Sequence, residues 1–125
     1  MIVSQILLYL GAILPLVWGI AHLFPTKSVV RGFGEISVDN RRIIVMEWIN
    51  EGVTLIFIGA LVVAVTLIGR HDTVATAVYL MSAAALLVLA IVSVFTGFKV
   101  AFFPFKLCPF LFTTSAILIV IGSLV

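Results

Sequence analysis

Four long apolar runs constrain this chain more than any other feature. Each run approaches or exceeds the roughly 20 residues that a helix needs to cross a hydrocarbon core of about 30 Å. The chain of 125 residues is 64% hydrophobic and only 10% charged, whereas soluble domains are about half apolar and a quarter charged. We therefore predict an all-α integral membrane four-helix bundle that forms one domain. The predicted helices cover about residues 2–24, 40–69, 74–98 and 107–125.

The composition also argues against several other classes of protein. Two Trp, ten Phe and the absence of a polar tract do not fit a disordered chain. No basic patch of the kind that binds nucleic acid is present, so we expect no nucleic-acid partner. The first apolar run lacks the basic start and small-residue cleavage site of a signal peptide, so we interpret it as a retained helix.

The distribution of Lys and Arg predicts the orientation. The loops at 25–42 and 97–106 carry six of these residues, and the opposite side carries only Arg70. Cytoplasmic loops are enriched in Lys and Arg. We therefore expect a multi-pass protein of the cell membrane in which both loops are cytoplasmic and the N-terminus and C-terminus are outside. The six cationic residues are Lys27, Arg31, Arg41, Arg42, Lys99 and Lys106.

A short acidic segment, "MEWINEGVTL" (residues 46–55), interrupts the second apolar run. Counting about 20 residues inward from Arg70 places Glu51 at the inner edge of the hydrocarbon and Glu47 among the headgroups. At about 100° per residue, both carboxylates share one helix face with Asn50 and Thr54. Glu47 is shallow enough to reach water. Glu51 is deeper, and intramembrane carboxylates tend to face the bundle interior.

His22 lies at the same depth as Glu51. It ends a stripe of the first helix that also contains Gly11, Pro15 and Trp18 or Gly19, and small residues mark the side where another helix approaches. We therefore expect His22 to point inward and to contact Glu51 directly or through one water. Two interpretations stay open: a histidine that only satisfies the fold, and a histidine that takes part in function.

Each predicted helix offers polar atoms near this level, while the outer halves are nearly all aliphatic. This asymmetry predicts a polar pocket that opens toward the cytoplasm or the inner leaflet. No Glu-x-x-His motif, second nearby His or Ser-His-Asp set is present, so we predict neither metal ligands nor catalytic residues. The candidate ligand-binding residues are Trp18, His22, Glu47, Asn50, Glu51 and Thr54.

Parts of the first two helices resemble a known family. "GIAHLF", "EWINEGVTLIFIG" and the following "GR" are similar to the DoxX-like small four-helix membrane proteins over about residues 11–85. This sequence departs from the family pattern in having His22 where a lysine is usual. The resemblance implies a four-helix bundle and a role near quinones. Its matching positions are Gly19, His22, Leu23, Phe24, Glu51, Gly52, Leu55, Gly59 and Arg70.

Three functions fit these observations. The first is binding of an amphiphilic small molecule, a quinone or a lipid headgroup, at the cytoplasmic end. The second is an accessory subunit whose polar face meets a membrane partner protein or another copy of this chain. The third is proton-coupled transport with Glu51 as the carrier, although the outer half offers few polar groups for a path. No recognisable nucleophile or metal set favours an enzyme.

Overall fold

The computed structural model describes residues 2–69 and 72–125. Over these residues the chain forms five α-helices and one short 3-10 helix, with no strand. Arg70, from which the depth of Glu51 was counted, lies outside the described residues. The helices are α1 (Ile2–Leu23), α2 (Thr26–Gly32), α3 (Val38–Ile68), α4 (Thr73–Phe95) and α5 (Phe103–Leu124), and the 3-10 helix covers Gly97–Lys99.

Within the described residues, four helices are long and apolar enough to cross a membrane: α1, α3, α4 extended through Lys99, and α5. The predicted all-α four-helix membrane fold is therefore confirmed. Many large apolar side chains point outward, among them Phe57 and Met81, as expected where the solvent is lipid. At 1.5 Å per residue, the 31 residues of α3 extend over roughly 46 Å and overshoot the hydrocarbon core.

The helix ends show how local sequence sets the boundaries. Ser37 caps α3, because its side chain accepts a hydrogen bond from the backbone N–H of Asn40 at 3.1 Å, a role that serine commonly has at the start of a helix. Asp72 caps α4 by accepting from the N–H of Ala75 at 2.8 Å. Gly69 closes α3 with a left-handed φ of 70°, a conformation that glycine adopts at low cost.

Two elements differ from the sequence-based prediction. The loop predicted at 25–42 contains the seven-residue helix α2, which is too short to show a clear apolar period. The last helix begins at Phe103 rather than near residue 107, because Pro104 stands in its first turn, where a missing N–H is tolerated. The membrane-crossing topology is the same in both cases.

Helix α1 lies between α3 and α5 and packs extensively against both, and α5 packs against α4. Helices α3 and α4 contact each other much less, although they follow each other in the chain. A hydrogen bond of 3.2 Å between Thr66 and Tyr79 links the last part of α3 to α4. The order around the bundle is therefore α3–α1–α5–α4, and contact between α3 and α4 is sparse.

Small residues allow α1 to approach both neighbours closely. A Cβ atom added at Gly59 would lie 2.5 Å from the carbonyl oxygen of Ala12, and one at Gly19 would lie 2.7 Å from that of Gly52. On the other side, the Ser115 hydroxyl donates a hydrogen bond to the carbonyl of Gly11. The predicted small-residue stripe of α1 is thus a packing face.

The bundle has two distinct ends. The end that holds α2, the start of α3 and the 3-10 helix also holds the six cationic residues of the two predicted cytoplasmic loops, and we name it the cationic end. The opposite end holds the start of α1, the end of α3, the start of α4 and the end of α5, and we name it the hairpin end.

Candidate functional site

His22 and Glu51 meet at the cationic end, where α1 crosses α3. The Nε2 atom of His22 lies 3.6 Å from the Oε2 atom of Glu51, so the contact predicted from their matching depth is confirmed. The His22 side chain is 7% exposed and the Glu51 side chain is 41% exposed. The imidazole is therefore enclosed by the bundle, while the carboxylate can be reached from outside it.

The His22–Glu51 contact is not a hydrogen bond. The separation exceeds the roughly 3.2 Å upper limit of a normal N–H···O bond, and the buried Nε2 atom has no hydrogen-bond partner within residues 2–69 and 72–125. A buried polar atom without a partner destabilises a fold by about 1–3 kcal/mol. A hydroxyl or similar group placed beside both atoms could bond to the nitrogen and to the carboxylate together.

Trp48 fixes the position of His22. Its ring stacks on the imidazole with centroids 3.8 Å apart and planes 17° apart, and its Nε1–H donates to the backbone oxygen of His22 at 2.8 Å. Phe105 of α5 packs edge-on against Trp48 with centroids 5.8 Å apart. Residues from α1, α3 and α5 thus form one aromatic cluster around the histidine.

Trp18 lies one helical turn before His22 and packs against the bundle core. Its indole lies beside the thiol of Cys108, which is buried and 3.8 Å from the carbonyl of Pro104. Glu51 is close enough for its charge to act on both His22 and Cys108. Trp18, a predicted site residue, therefore borders the same region as the His22–Glu51 pair.

The remaining predicted site residues lie on the surface of α3. Glu47, Asn50 and Thr54 are all exposed, and the Thr54 hydroxyl donates to the carbonyl of Asn50 within the same helix at 2.7 Å. Glu47 and Thr54 follow the Glu51 side of α3 by helical spacing. These three residues form a polar rim beside Glu51 and are not drawn into the buried contact with His22.

Two cavities lie at the hairpin end, away from His22. One has a volume of about 260 Å³ and is lined by aliphatic residues of α3 and α4, including Val65 and Val78. The other has a volume of about 100 Å³ and is lined by Ser4, Tyr79 and neighbouring residues of α1, α4 and α5. Neither cavity is lined by a residue of the predicted site at the cationic end.

No three His, Cys, Asp or Glu side chains within the described parts of the chain are grouped so that they could hold a metal ion. No protein-family model, curated protein or solved structure matches this chain. Its fold and composition define it as a small multi-pass integral membrane protein in which a buried histidine lies beside a half-exposed carboxylate at one end.

Proposed function

We propose that this protein binds the polar end of an amphiphilic small molecule, a quinone or a lipid headgroup, at the His22–Glu51 pair. The observation that carries the proposal is the buried Nε2 atom of His22, which has no hydrogen-bond partner within the described chain and lies beside a half-exposed carboxylate. Intramembrane ionisable residues are costly and tend to mark functional sites.

The pair offers complementary hydrogen-bonding groups to such a ligand. Neutral imidazole can donate from one ring nitrogen and accept at the other, while an ionised carboxylate only accepts. A ligand hydroxyl, such as that of a reduced quinone, that accepts from His22 and donates to Glu51 would bridge the two atoms from one side, because the 3.6 Å between them leaves no room for an oxygen in line. Trp48 and Phe105 add flat apolar surface next to the polar atoms, and aromatic rings stack well on a planar headgroup.

Access from the membrane is supported by the arrangement of α3 and α4. These helices contact each other sparsely, and the polar rim of Glu47, Asn50 and Thr54 is exposed. An amphiphile could therefore keep its tail in lipid while its polar end reaches Glu51. The resemblance to DoxX-like proteins, which implies a role near quinones, favours a quinone as the first ligand to test.

The bias of six cationic residues toward one end supports placing this site on the cytoplasmic side of the cell membrane. An inner-leaflet site would draw its ligand from lipids and quinones that are mobile in that leaflet. Both termini would then lie outside.

An accessory-subunit role is the second candidate. The sparse α3–α4 contact leaves the outward side of both helices to lipid or to another helix, and Val53, Phe57 and Leu80 are exposed there. A partner helix, or a second copy of this chain, that packs along α3 would cover the polar rim instead of a small molecule.

Extraction of purified protein followed by mass spectrometry of lipids, quinones and proteins separates the two candidates. We expect a stoichiometric quinone or lipid with the native chain, and its loss in Glu51→Gln, which keeps the shape and removes the charge. Glu35→Gln makes the same change at an exposed residue of the cationic end that lies outside the candidate site, and as the matched control it should retain the ligand.

Two outcomes of this experiment contradict the binding proposal. Retention of the same ligand by Glu51→Gln at native stoichiometry would show that the pair does not hold it. A protein that co-purifies in place of any small molecule, and whose retention does not depend on Glu51, would support the accessory role.

A further inference from the structure

The smaller cavity at the hairpin end has an unusual lining. It measures about 100 Å³, several times the roughly 30 Å³ that a water molecule occupies in the liquid. Tyr79 and Ser4, two of its lining residues, are each 5% exposed, so they belong to the bundle interior. Four of the seven residues that line the cavity carry a side-chain hydroxyl: Ser4, Thr76, Tyr79 and Ser123.

Three of these hydroxyls donate their single hydrogen to a backbone carbonyl oxygen. Ser4 donates to the carbonyl of Gly122 at 2.6 Å across the α1–α5 contact. Ser123 donates to Val120 at 2.7 Å, and Thr76 donates to Asp72 at 3.2 Å. A hydroxyl has one hydrogen to donate and two lone pairs that accept, so each of these oxygens can offer only acceptor capacity to the cavity.

The hydroxyl of Tyr79 also donates its single hydrogen within the protein. Thr66 donates its hydrogen to the carbonyl of Val62 at 2.7 Å, so in the Thr66–Tyr79 contact of 3.2 Å the threonine must accept and Tyr79 must donate. The phenolic oxygen of Tyr79 then retains only lone pairs for a second partner. All four lining hydroxyls therefore present acceptors, which select for a ligand that carries hydrogen-bond donors.

We propose that this cavity binds a primary ammonium group, which carries three N–H donors and no acceptor. Its position fits a headgroup, because Ser4 and Ser123 lie at helix termini and therefore near the level where the hydrocarbon core ends. Asp72 caps α4 one turn before Thr76 and places an acidic side chain at the same end. The ammonium group can belong to a lipid headgroup or to a small free amine.

The neighbouring cavity is consistent with a lipid as the source of the amine. It has a volume of about 260 Å³, is lined by Val65, Ile68, Val74 and Val78, and shares Ala75 with the hydroxyl-lined cavity. Hydrocarbon is the group that an aliphatic lining accepts best. This site is separate from the His22–Glu51 site, so either proposal can fail without the other.

Native mass spectrometry of the protein in lipid nanodiscs tests the proposal through the number of N–H donors. Phosphatidylethanolamine has three, its N,N-dimethyl derivative has one and phosphatidylcholine has none. We expect retention to fall in that order, by about tenfold from first to last, since hydrogen bonds to a charged group are among the stronger ones. Equal retention of all three lipids would show that binding does not depend on N–H donors and would overturn the proposal.

Two variants connect that preference to the cavity. Tyr79→Phe removes the phenolic oxygen of Tyr79 as an acceptor. Thr76→Val removes a hydroxyl whose hydrogen bond to the carbonyl of Asp72 is local to α4. The Thr76→Val variant should therefore fold even if Tyr79→Phe does not. We expect either change to lower the phosphatidylethanolamine preference by about threefold or more. Tyr9→Phe, which changes the other tyrosine away from the cavity, is the matched control and should leave the preference unchanged. An undiminished preference in Thr76→Val would also overturn the proposal.

A second arm distinguishes the two sources of the amine. Methylammonium chloride is compared with tetramethylammonium chloride at equal ionic strength in phosphatidylcholine nanodiscs, and the melting temperature is measured, because a ligand that binds the folded state stabilises it. Stabilisation by methylammonium alone, absent in Thr76→Val, identifies a site for free amines. Stabilisation by neither salt, together with the lipid preference, identifies the lipid headgroup as the ligand.

Discussion

Trp48 contacts both the backbone and the side chain of His22. The indole N–H donates to the His22 carbonyl at 2.8 Å, and the two rings stack with centroids 3.8 Å apart. The carbonyls in the last turn of a helix lack intrahelical donors, and His22 lies next to the end of α1. Trp48 therefore supplies a donor to a carbonyl in the last turn of α1, and it orients the imidazole of His22 toward Glu51.

Replacing Trp48 separates these two effects. Trp48→Phe keeps an aromatic ring and loses the hydrogen bond, so we expect the free energy of unfolding to fall by about 1 kcal/mol. Trp48→Ala also loses the stack and should be more destabilising, by about 3 kcal/mol or more. Denaturation in mixed micelles measures both variants. Equal stability of the native chain and Trp48→Phe would show that the hydrogen bond contributes nothing.

The His22–Glu51 contact could be predicted because depth and helix face are both countable from the sequence. Arg70 supplied the reference level from which the depth of Glu51 was counted. The small-residue stripe of α1 indicated which side of that helix faces another helix. Trp48 was missed, although it lies four residues before Gly52 and seven before Leu55, both buried against α1. That spacing places Trp48 on the α1-facing side of α3. Its contact with the carbonyl of His22 depends on the distance between the helices, which the sequence does not specify.

Gly59 should be the least tolerant glycine at the α1–α3 crossing. In Gly59→Ala the new methyl group would meet the carbonyl oxygen of Ala12 at 2.5 Å and the Cβ atom of Leu16 at 2.7 Å, so the helices must move apart. We expect a loss of about 1–3 kcal/mol, the usual range for overpacking, measured by the same denaturation.

Gly32→Ala is the control for that change. A Cβ atom at Gly32 in α2 meets nothing within 4 Å, and alanine favours a helix over glycine by about 1 kcal/mol. Its stability should therefore be unchanged or slightly higher. Similar losses in Gly59→Ala and Gly32→Ala would mean that α1 and α3 are not closely packed at Gly59.

The hydroxyl-lined cavity at the hairpin end was not predicted from the sequence. The outer halves of the helices were expected to be nearly all aliphatic, whereas the hydroxyl-bearing residues Tyr79 and Ser82 of α4 are buried in the bundle. What the pattern could not show is that Ser4 and Ser123, at opposite ends of the chain, come together with Tyr79, since that depends on α1 lying beside α5.

Cysteine labelling tests the predicted orientation. In a Cys108→Ala background, Ser28→Cys reports on the cationic end and Thr73→Cys on the hairpin end, and both positions are exposed. Because Lys and Arg are enriched on the cytoplasmic side, we expect an impermeant maleimide to label Thr73→Cys in intact cells and to leave Ser28→Cys unlabelled until the cells are lysed. The reverse pattern would place the His22–Glu51 site on the outside.

Lys106 and Lys99 should behave differently, although both belong to the predicted cytoplasmic loop at 97–106. The ammonium group of Lys106 donates to the carbonyl of Phe98 at 2.8 Å and lies 5.1 Å from the centre of the Phe98 ring, so it fastens the 3-10 helix to the start of α5. Lys106→Gln should therefore loosen this loop. We expect hydrogen exchange at the Val100 amide, which bonds to the carbonyl of Gly97 at 3.0 Å, to increase by about fivefold, the equivalent of about 1 kcal/mol.

Lys99→Gln is the matched change within the same loop. Lys99 is exposed, so its replacement should weaken retention of anionic lipid by up to about 1 kcal/mol and leave the exchange of the Val100 amide nearly as it is. Native mass spectrometry with phosphatidylglycerol measures the lipid effect, and hydrogen exchange measures the loop. If Lys106→Gln lowers lipid retention as much as Lys99→Gln and does not change the exchange of Val100, then Lys106 points to the lipid in solution and the contact with Phe98 does not hold the loop.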